Sequence, residues 1–241
     1  MIALFTDFGA NDIYVGQVKA AILAQAPAAI IVDILHDAPA FDAKAGAHLL
    51  AALAPRFPGG AVFFAVVDPG VGEQRDAVAM LADGKWYVGP DNGLLSVVAA
   101  RAAECQVWRI VWRPRNISCS FHGRDLFAPF AAWLDLGSFP HDKTEGIARL
   151  EVQLGAADLA EVIYLDHYGN AMTGLRAGQL AKDRKIRIGR HELQYAGVFS
   201  EVPAGEAFWY ENSIGLIEIA VSCGNAAERM GLRVGQAVEV V

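Results

Sequence analysis

The sequence predicts an α/β protein: an N-terminal, mostly parallel sheet with helices on both faces, followed by a smaller C-terminal antiparallel β domain. Three observations carry this. Fully apolar strand-length runs recur through the first part of the chain, each followed by a helix pattern, as in a sheet covered on both sides. After Gly137 the texture changes to short strands split by turn residues, as in a small antiparallel sheet or barrel. The 241 residues fit one large domain or two modest ones. The expected division falls in the polar stretch Ser138–Arg149, giving domains 1–145 and 146–241.

The elements follow in order. Ile2–Thr6 is an apolar strand. Asn11 or Asp12 can cap the next helix, which carries Val15, Val18 and Ile22 on one face and stops at Pro27. Ala29–Leu35 is a second buried strand, and Asp42 opens a helix that runs to Ala54 and ends at Pro55. Ala61–Val67 is a third strand, followed by a Pro-Gly-Val-Gly loop. Val78–Leu81 and Trp86–Val88 flank the Asp83-Gly84 turn; Gly93–Arg101 is a helix, Gln106–Val111 a strand and Arg124–Leu134 a helix. In the C-terminal part, Glu161–Leu165, Lys185–Ile188, His191–Tyr195, Ala207–Tyr210, Leu216–Val221 and Ala237–Val241 are strands, with one short helix at Asn225–Met230. There is no internal repeat and no low-complexity segment.

Composition narrows the function. Hydrophobic residues make up 54 % and charged residues 20 % of the chain, enough for a sizeable core. The net charge is −7, so no basic stripe is expected and no nucleic-acid partner. Mean hydropathy is +0.29, high for a soluble protein. Yet no run of about 18 apolar residues exists, so no membrane span or membrane partner is expected. The chain begins directly with a strand and no basic leader, which points to a cytoplasmic protein. Cys105, Cys119 and Cys223 are far apart and form no CxxC pair, and are expected to be buried, reduced thiols.

In a covered parallel sheet the ligand lies outside the carboxyl ends of the strands. Four polar, Gly-bearing loops are expected there: Thr6–Asp12, Asp68–Arg75, Pro90–Gly93 and Phe121–Asp125. Standard cofactor signatures are absent: Gly70-Val71-Gly72 continues into Glu73-Gln74-Arg75, and there is no Walker, HExxH or GxSxG sequence. Asp12 has two readings, a helix N-cap or a ligand carboxylate. Asp7 is either an Asx-turn residue or a carboxylate for hydroxyls or a cation. Asp68 follows seven apolar residues, so its charge needs a positive partner, and Arg75 on the same loop is the candidate. That pair pins a loop or serves chemistry. His122, between Phe121 and Gly123 at a helix start, is structural or catalytic.

Taken together, Thr6-Asp7-Phe8-Gly9, Val67-Asp68-Pro69-Gly70-Val71-Gly72 with Arg75, Gly89-Pro90-Asp91-Asn92-Gly93, Phe121-His122-Gly123-Arg124-Asp125, Asp166-x-Tyr168-Gly169-Asn170 and Asn212-Ser213 resemble the S-adenosyl-L-methionine (SAM) hydroxide adenosyltransferases, relatives of the fluorinating and chlorinating enzymes. The likeness runs from residue 1 to about residue 230. It implies a C-terminal β-barrel, a cytoplasmic homotrimer with sites at subunit interfaces, and SAM as substrate with no cofactor and no metal. The implied reaction is hydrolysis to adenosine and L-methionine through attack of water on ribose C5′. By the same resemblance, Asp68, Arg75 and His122 form the catalytic triad. Asp7 takes the ribose diol, Phe41 and Phe121 flank the sugar and base, Phe8 is a further substrate-binding residue, and Asn170 contacts adenine. Asp12, Asp166 and Ser213 contact the methionine part, and backbone near Val221 and Cys223 lines the adenine.

Halogenating relatives place hydroxyl groups around their anion; here the matching positions are Asp68, Val71 and Gly123. A carboxylate at the nucleophile position repels an anion and accepts a hydrogen bond from water. Hydrolysis is therefore expected over halide transfer. Two further readings stay open: a SAM- or adenosine-binding sensor with negligible turnover, and a metal-dependent hydrolase built on Asp7, Asp68, Asp91 and His122, for which no ligand spacing speaks.

Overall fold

A computed structural model describes residues 1–72 and 75–241; Glu73 and Gln74, in the expected Asp68–Arg75 loop, lie outside the described residues. It divides into two compact units, residues 1–50 with 57–156 and residues 51–56 with 157–241.

The first unit is a seven-stranded sheet between helices. Its strands are β1 (Ile2–Thr6), β2 (Ile31–Leu35), β3 (Val62–Val66), β4 (Ala77–Ala82), β5 (Lys85–Pro90), β6 (Cys105–Ile110) and β7 (Thr144–Ile147), in the order β2-β1-β3-β5-β4-β6-β7. Strands β2, β1, β3 and β5 pair in parallel, while β4 pairs antiparallel with both β5 and β6, and β7 antiparallel with β6. Five strands therefore point one way and two the other. β1 and β3 are buried along their whole length, which explains why they read as unbroken apolar runs.

The helices are α1 (Ile13–Gln25), α2 (Ala43–Leu53), α3 (Ser96–Arg101) and α4 (Ala128–Asp135). Ile2, Leu4, Val62, Phe64 and Val66 share one core with Val15, Val18 and Ile22 of α1 and with Phe130, Ala131 and Leu134 of α4. On the opposite face, Phe5 and Val67 lie against Gly46 of α2. Helices thus cover both faces of the strands that carry the loops of interest.

Several expectations are corrected. β2 is an edge strand and only partly buried, because among the described residues no strand pairs with its outer side. The helix expected from Arg124 begins instead as a π-helical turn, Gly123–Phe127, with Ala128 N–H bonded to the Gly123 carbonyl. Pro129 has no N–H to return to Asp125, so a regular i to i−4 ladder cannot run through this point. The polar stretch read as a divider contains β7, whose alternation is too short to register as a strand. Cys105, Cys119 and Cys223 are free but exposed rather than buried: Cys105 opens β6 at its solvent-facing end, and Cys119 and Cys223 lie in turns.

The second unit contains β8 (Leu159–Leu165), β9 (Ala171–Arg176), β10 (Ile186–Ile188), β11 (His191–Leu193), β12 (Ala207–Glu211), β13 (Leu216–Val221), α5 (Ala226–Met230) and β14 (Glu239–Val240). β12-β13-β9-β8 form one antiparallel sheet and β11-β10-β14 a second, with isolated bridges Tyr195–Trp209 and Glu161–Ala237 between them. Trp209, Ile217, Ile219 and Val221 centre its core. β9 was not expected, since Gly174 interrupts its pattern; a Cβ there would stand 2.6 Å from the Leu159 carbonyl oxygen, so the strands approach closely.

Candidate active site

Because β1, β3 and β5 are parallel and aligned, the loops after Thr6, Val66 and Pro90 emerge at one edge. Asp68 stands just past β3, and its side chain is only 5 % exposed. Arg75 meets it in a fork: Nε donates to Oδ1 at 3.0 Å and Nη2 donates to Oδ2. The same Nη2 lies 3.2 Å from Nδ1 of His122. The guanidinium also lies over the Phe127 ring, with its carbon 5.3 Å from the centroid. Asn92 donates from Nδ2 to the Val67 carbonyl at 2.8 Å, holding the backbone immediately before Asp68.

The hydrogen-bond chemistry assigns the imidazole tautomer. Arginine has donors only, so Nδ1 of His122 is the acceptor and the ring proton sits on Nε2. Burial, then the Arg75 cation, push the His122 pKa below its ordinary value, partly opposed by Asp68. Both observations describe a neutral imidazole with an N–H directed away from Arg75.

Asp7 follows β1. Its Oδ2 accepts the Phe41 N–H at 3.2 Å, and burial, with a smaller contribution from Asp68, raises its pKa against that hydrogen bond. Phe41 has φ +62° and an exposed ring, a left-handed conformation that bulky residues rarely adopt. Asp12 occupies the N-cap position of α1 with extended backbone but makes no side-chain capping bond. Its carboxylate is exposed and is not used in capping. Phe8 and Phe121 meet edge to face with centroids 5.7 Å apart, and Tyr14 completes the trio at 6.1 and 5.5 Å. Asp91 goes elsewhere: its oxygens accept the N–H groups of Glu151 and Val152, so it is a staple for that segment.

The remaining candidates lie in the second unit. Asp166 Oδ1 accepts from Tyr168 N at 2.9 Å and Asn170 N at 2.8 Å, and Oδ2 accepts from Asn170 Nδ2 at 3.0 Å. This ring of bonds shapes the loop between β8 and β9. Asp166, Asn170, Val221 and Cys223 line one cleft of about 530 Å³ with Tyr168, Phe199, Tyr210 and Gly224. That volume suits a small-molecule ligand. Ser213 is exposed on the β12–β13 turn, which Asn212 organises by accepting from Ile214 N and Leu216 N. A smaller cavity of about 230 Å³ in the first unit, lined by Ser96, Cys105 and Leu150 among others, includes none of the candidates.

The structure thus joins Asp68, Arg75 and His122 directly, sets Asp7 within electrostatic range of Asp68, and pairs Phe8 with Phe121. Sequence reasoning missed Tyr14, Phe127, Tyr210 and Glu218. Glu218 carries a faint signal, a carboxylate inside the otherwise apolar strand β13. Among the described residues, no group of three or more His, Cys, Asp or Glu is arranged to hold a metal ion, and no helix is long and apolar enough to cross a membrane.

Comparison with known proteins adds an independent line. Residues 2–144 match the SAM hydroxide adenosyltransferase N-terminal domain, and residues 160–239 the corresponding C-terminal domain. The chain is 37 % identical over 258 aligned positions to the (R)-S-adenosyl-L-methionine hydrolase of Thermus thermophilus, covering 100 % of this chain and 99 % of that one. It is 34 % identical to the enzyme of the same name from Salinispora tropica, covering 99 % and 97 %. Among solved structures, an uncharacterized conserved protein from Thermotoga maritima superposes with a TM-score of 0.90 at 34 % identity, covering 100 % of this chain and 99 % of that one. A conserved hypothetical protein from Thermus thermophilus gives 0.78 at 38 %, with the same coverage.

Proposed function

Since the chain belongs to the SAM hydroxide adenosyltransferase family, we propose that it hydrolyses S-adenosyl-L-methionine to adenosine and L-methionine, water attacking ribose C5′ in line with the departing sulfur. The observation that carries the reading is the Asp68–Arg75–His122 arrangement at the carboxyl edge of the parallel strands.

The chemistry fits these groups. A sulfonium leaves as a neutral thioether, so no acid is needed. The enzyme must hold one water against C5′, and positioning of this kind supplies about 7–11 kcal/mol. Each Asp68 oxygen already accepts one hydrogen bond from Arg75 and keeps a lone pair for another. Asp68 orients the water and receives its proton as attack proceeds, while Arg75 holds the carboxylate in place. Neutral His122 presents its Nε2–H to the oxygen as hydroxide character develops, and Arg75 holds both partners in place. Asp7 takes the ribose hydroxyls, Phe41 and Phe121 flank the sugar and base, Phe8 adds a further substrate contact, and Asp12, Asp166 and Ser213 hold the methionine part. Asn170 and the backbone at Val221 and Cys223 hold adenine.

The same reading includes a two-domain chain, a barrel-like C-terminal domain, supported by the bridges between its two sheets, and a cytoplasmic homotrimer. Apolar side chains left exposed at Ile13, Tyr14 and Phe41 support burial against a neighbouring subunit. No cofactor is assigned, and turnover undiminished by EDTA is expected.

Incubation with SAM in ¹⁸O-water tests the reaction: adenosine labelled at O5′ is the expected product by mass spectrometry. SAM bound without any adenosine would mean a sensor, and unlabelled adenosine would remove direct attack by water. With chloride present, adenosine rather than 5′-chloro-5′-deoxyadenosine is expected.

A further inference from the structure

Glu218 is a carboxylate inside the second unit, 2 % exposed, directly opposite Tyr210 in the β12–β13 register. Strand alternation sets it on the face of Phe208, Tyr210 and Ala220, away from the Trp209–Ile217–Ile219 core. Both its oxygens are engaged. The Tyr210 hydroxyl donates to Oε1 at 2.6 Å, and Asn212 Nδ2 donates to Oε2 at 2.7 Å. Burial raises the pKa of Glu218 and the two donors oppose the rise. A buried carboxylate of this kind is costly, and apolar residues of similar volume often serve stability as well or better. Its place beside a ligand-sized cleft supplies a different reason for it.

Tyr210 lines that cleft together with Asp166 and Asn170. A phenol has one proton, and here it is directed to Glu218, so toward the cleft the oxygen offers lone pairs only. Asp166 beside it accepts three hydrogen bonds from its own loop and is likewise an acceptor. This wall is therefore built to receive hydrogen-bond donors. SAM carries them in its ammonium, ribose hydroxyls and adenine amino group, on a molecule with a cationic sulfur.

We propose that Tyr210 is a substrate-binding residue that accepts a hydrogen bond from an N–H or O–H of the substrate, and that Glu218 is the positioning residue that fixes the sense of its hydroxyl. Through Asn212, Glu218 also steadies the turn bearing Ser213. The inference rests on reading this cleft as part of the SAM site.

Steady-state kinetics on the full-length protein test it, with melting curves to confirm folding. Tyr210→Phe keeps the ring and removes only the hydroxyl; Glu218→Gln keeps the shape and removes the charge. Each is expected to raise the KM for SAM about tenfold, or about 1.4 kcal/mol, with kcat lowered by less than about threefold. The double variant should lose no more than the worse single one, because the two residues act as one device. Where Glu218→Gln does not fold, Glu218→Asp, which withdraws the carboxylate by one methylene, carries the same expectation. A folded Tyr210→Phe with wild-type KM overturns the binding role. Losses that multiply in the double variant overturn the positioning role. If wild-type protein neither binds nor hydrolyses SAM, the reading of the cleft fails instead, and the two failures are distinguishable.

Discussion

The guanidinium of Arg75 holds both oxygens of Asp68 in a fork, and the shared Nη2 also faces Nδ1 of His122. One cation thereby orients two candidate catalytic groups. It keeps the Asp68 carboxylate from rotating and leaves the His122 proton on Nε2. Catalysis that depends on this arrangement should show it in two measurements, on Asp68 and on His122.

Asp68→Asn keeps the shape but replaces one acceptor oxygen by an NH₂. It is expected to lower kcat by about 10²–10⁴-fold while SAM binding changes only a few-fold, read by adenosine release and by calorimetry. Full turnover by this variant would remove the role given to Asp68.

His122 titrates below the ordinary imidazole value of 6.5, because burial and Arg75 disfavour its cation. Protonation would put a donor on Nδ1 against Arg75. Activity should therefore hold as pH falls to about 6.5 and decline only below it, and His122→Gln should abolish that acidic limb. Between the lowered folded value and the unfolded one, the unfolded chain binds more protons, so stability rises with pH across that window.

Asp7 is the opposite case, a carboxylate whose pKa burial raises. In the window above its ordinary value the folded state holds the extra proton, so stability falls as pH rises through it, and at neutral pH the charge is a cost. Asp7→Asn still accepts the Phe41 N–H. It is expected to raise the melting temperature by about 1–3 °C while the KM for SAM rises about 10–100-fold, a trade of function for stability. A variant that melts lower with unchanged KM would contradict this.

Gly169 sits at φ +83° in the Asp166–Asn170 loop, and a Cβ there would stand 2.0 Å from the Asn225 side chain. Asn225 is not free to move, since its Oδ1 caps α5 by accepting Glu228 N at 2.9 Å. Gly169→Ala is expected to cost about 1–3 kcal/mol in urea unfolding and to weaken SAM binding with it. Unchanged stability would show that the loop and the cap can separate.

Much of the first unit is legible in the chain. Val15, Val18 and Ile22 recur at helical spacing and do face the core, and Ile2–Thr6 and Val62–Val66 are unbroken apolar runs because both faces are covered. β7 and β9 are not legible in the sequence because four to six residues with glycine among them carry too little periodicity. Asp12 reads from the sequence as a cap or a ligand carboxylate, and in the fold its side chain makes no capping bond.

The sequence by itself determined that polar, glycine-bearing loops follow buried parallel strands, since burial and chain direction are written in local patterns. It also placed Asp7, Asp68 and Arg75 on those loops, and His122 at a helix start. Only the tertiary structure decided that Arg75 reaches His122, 47 residues away, which proton His122 keeps, and that Glu218 holds Tyr210. The physical reason is one of range. Periodicity reports which face a residue buries within a few neighbours, whereas a hydrogen bond between loops is set to tenths of an ångström by the packing of every element beneath them.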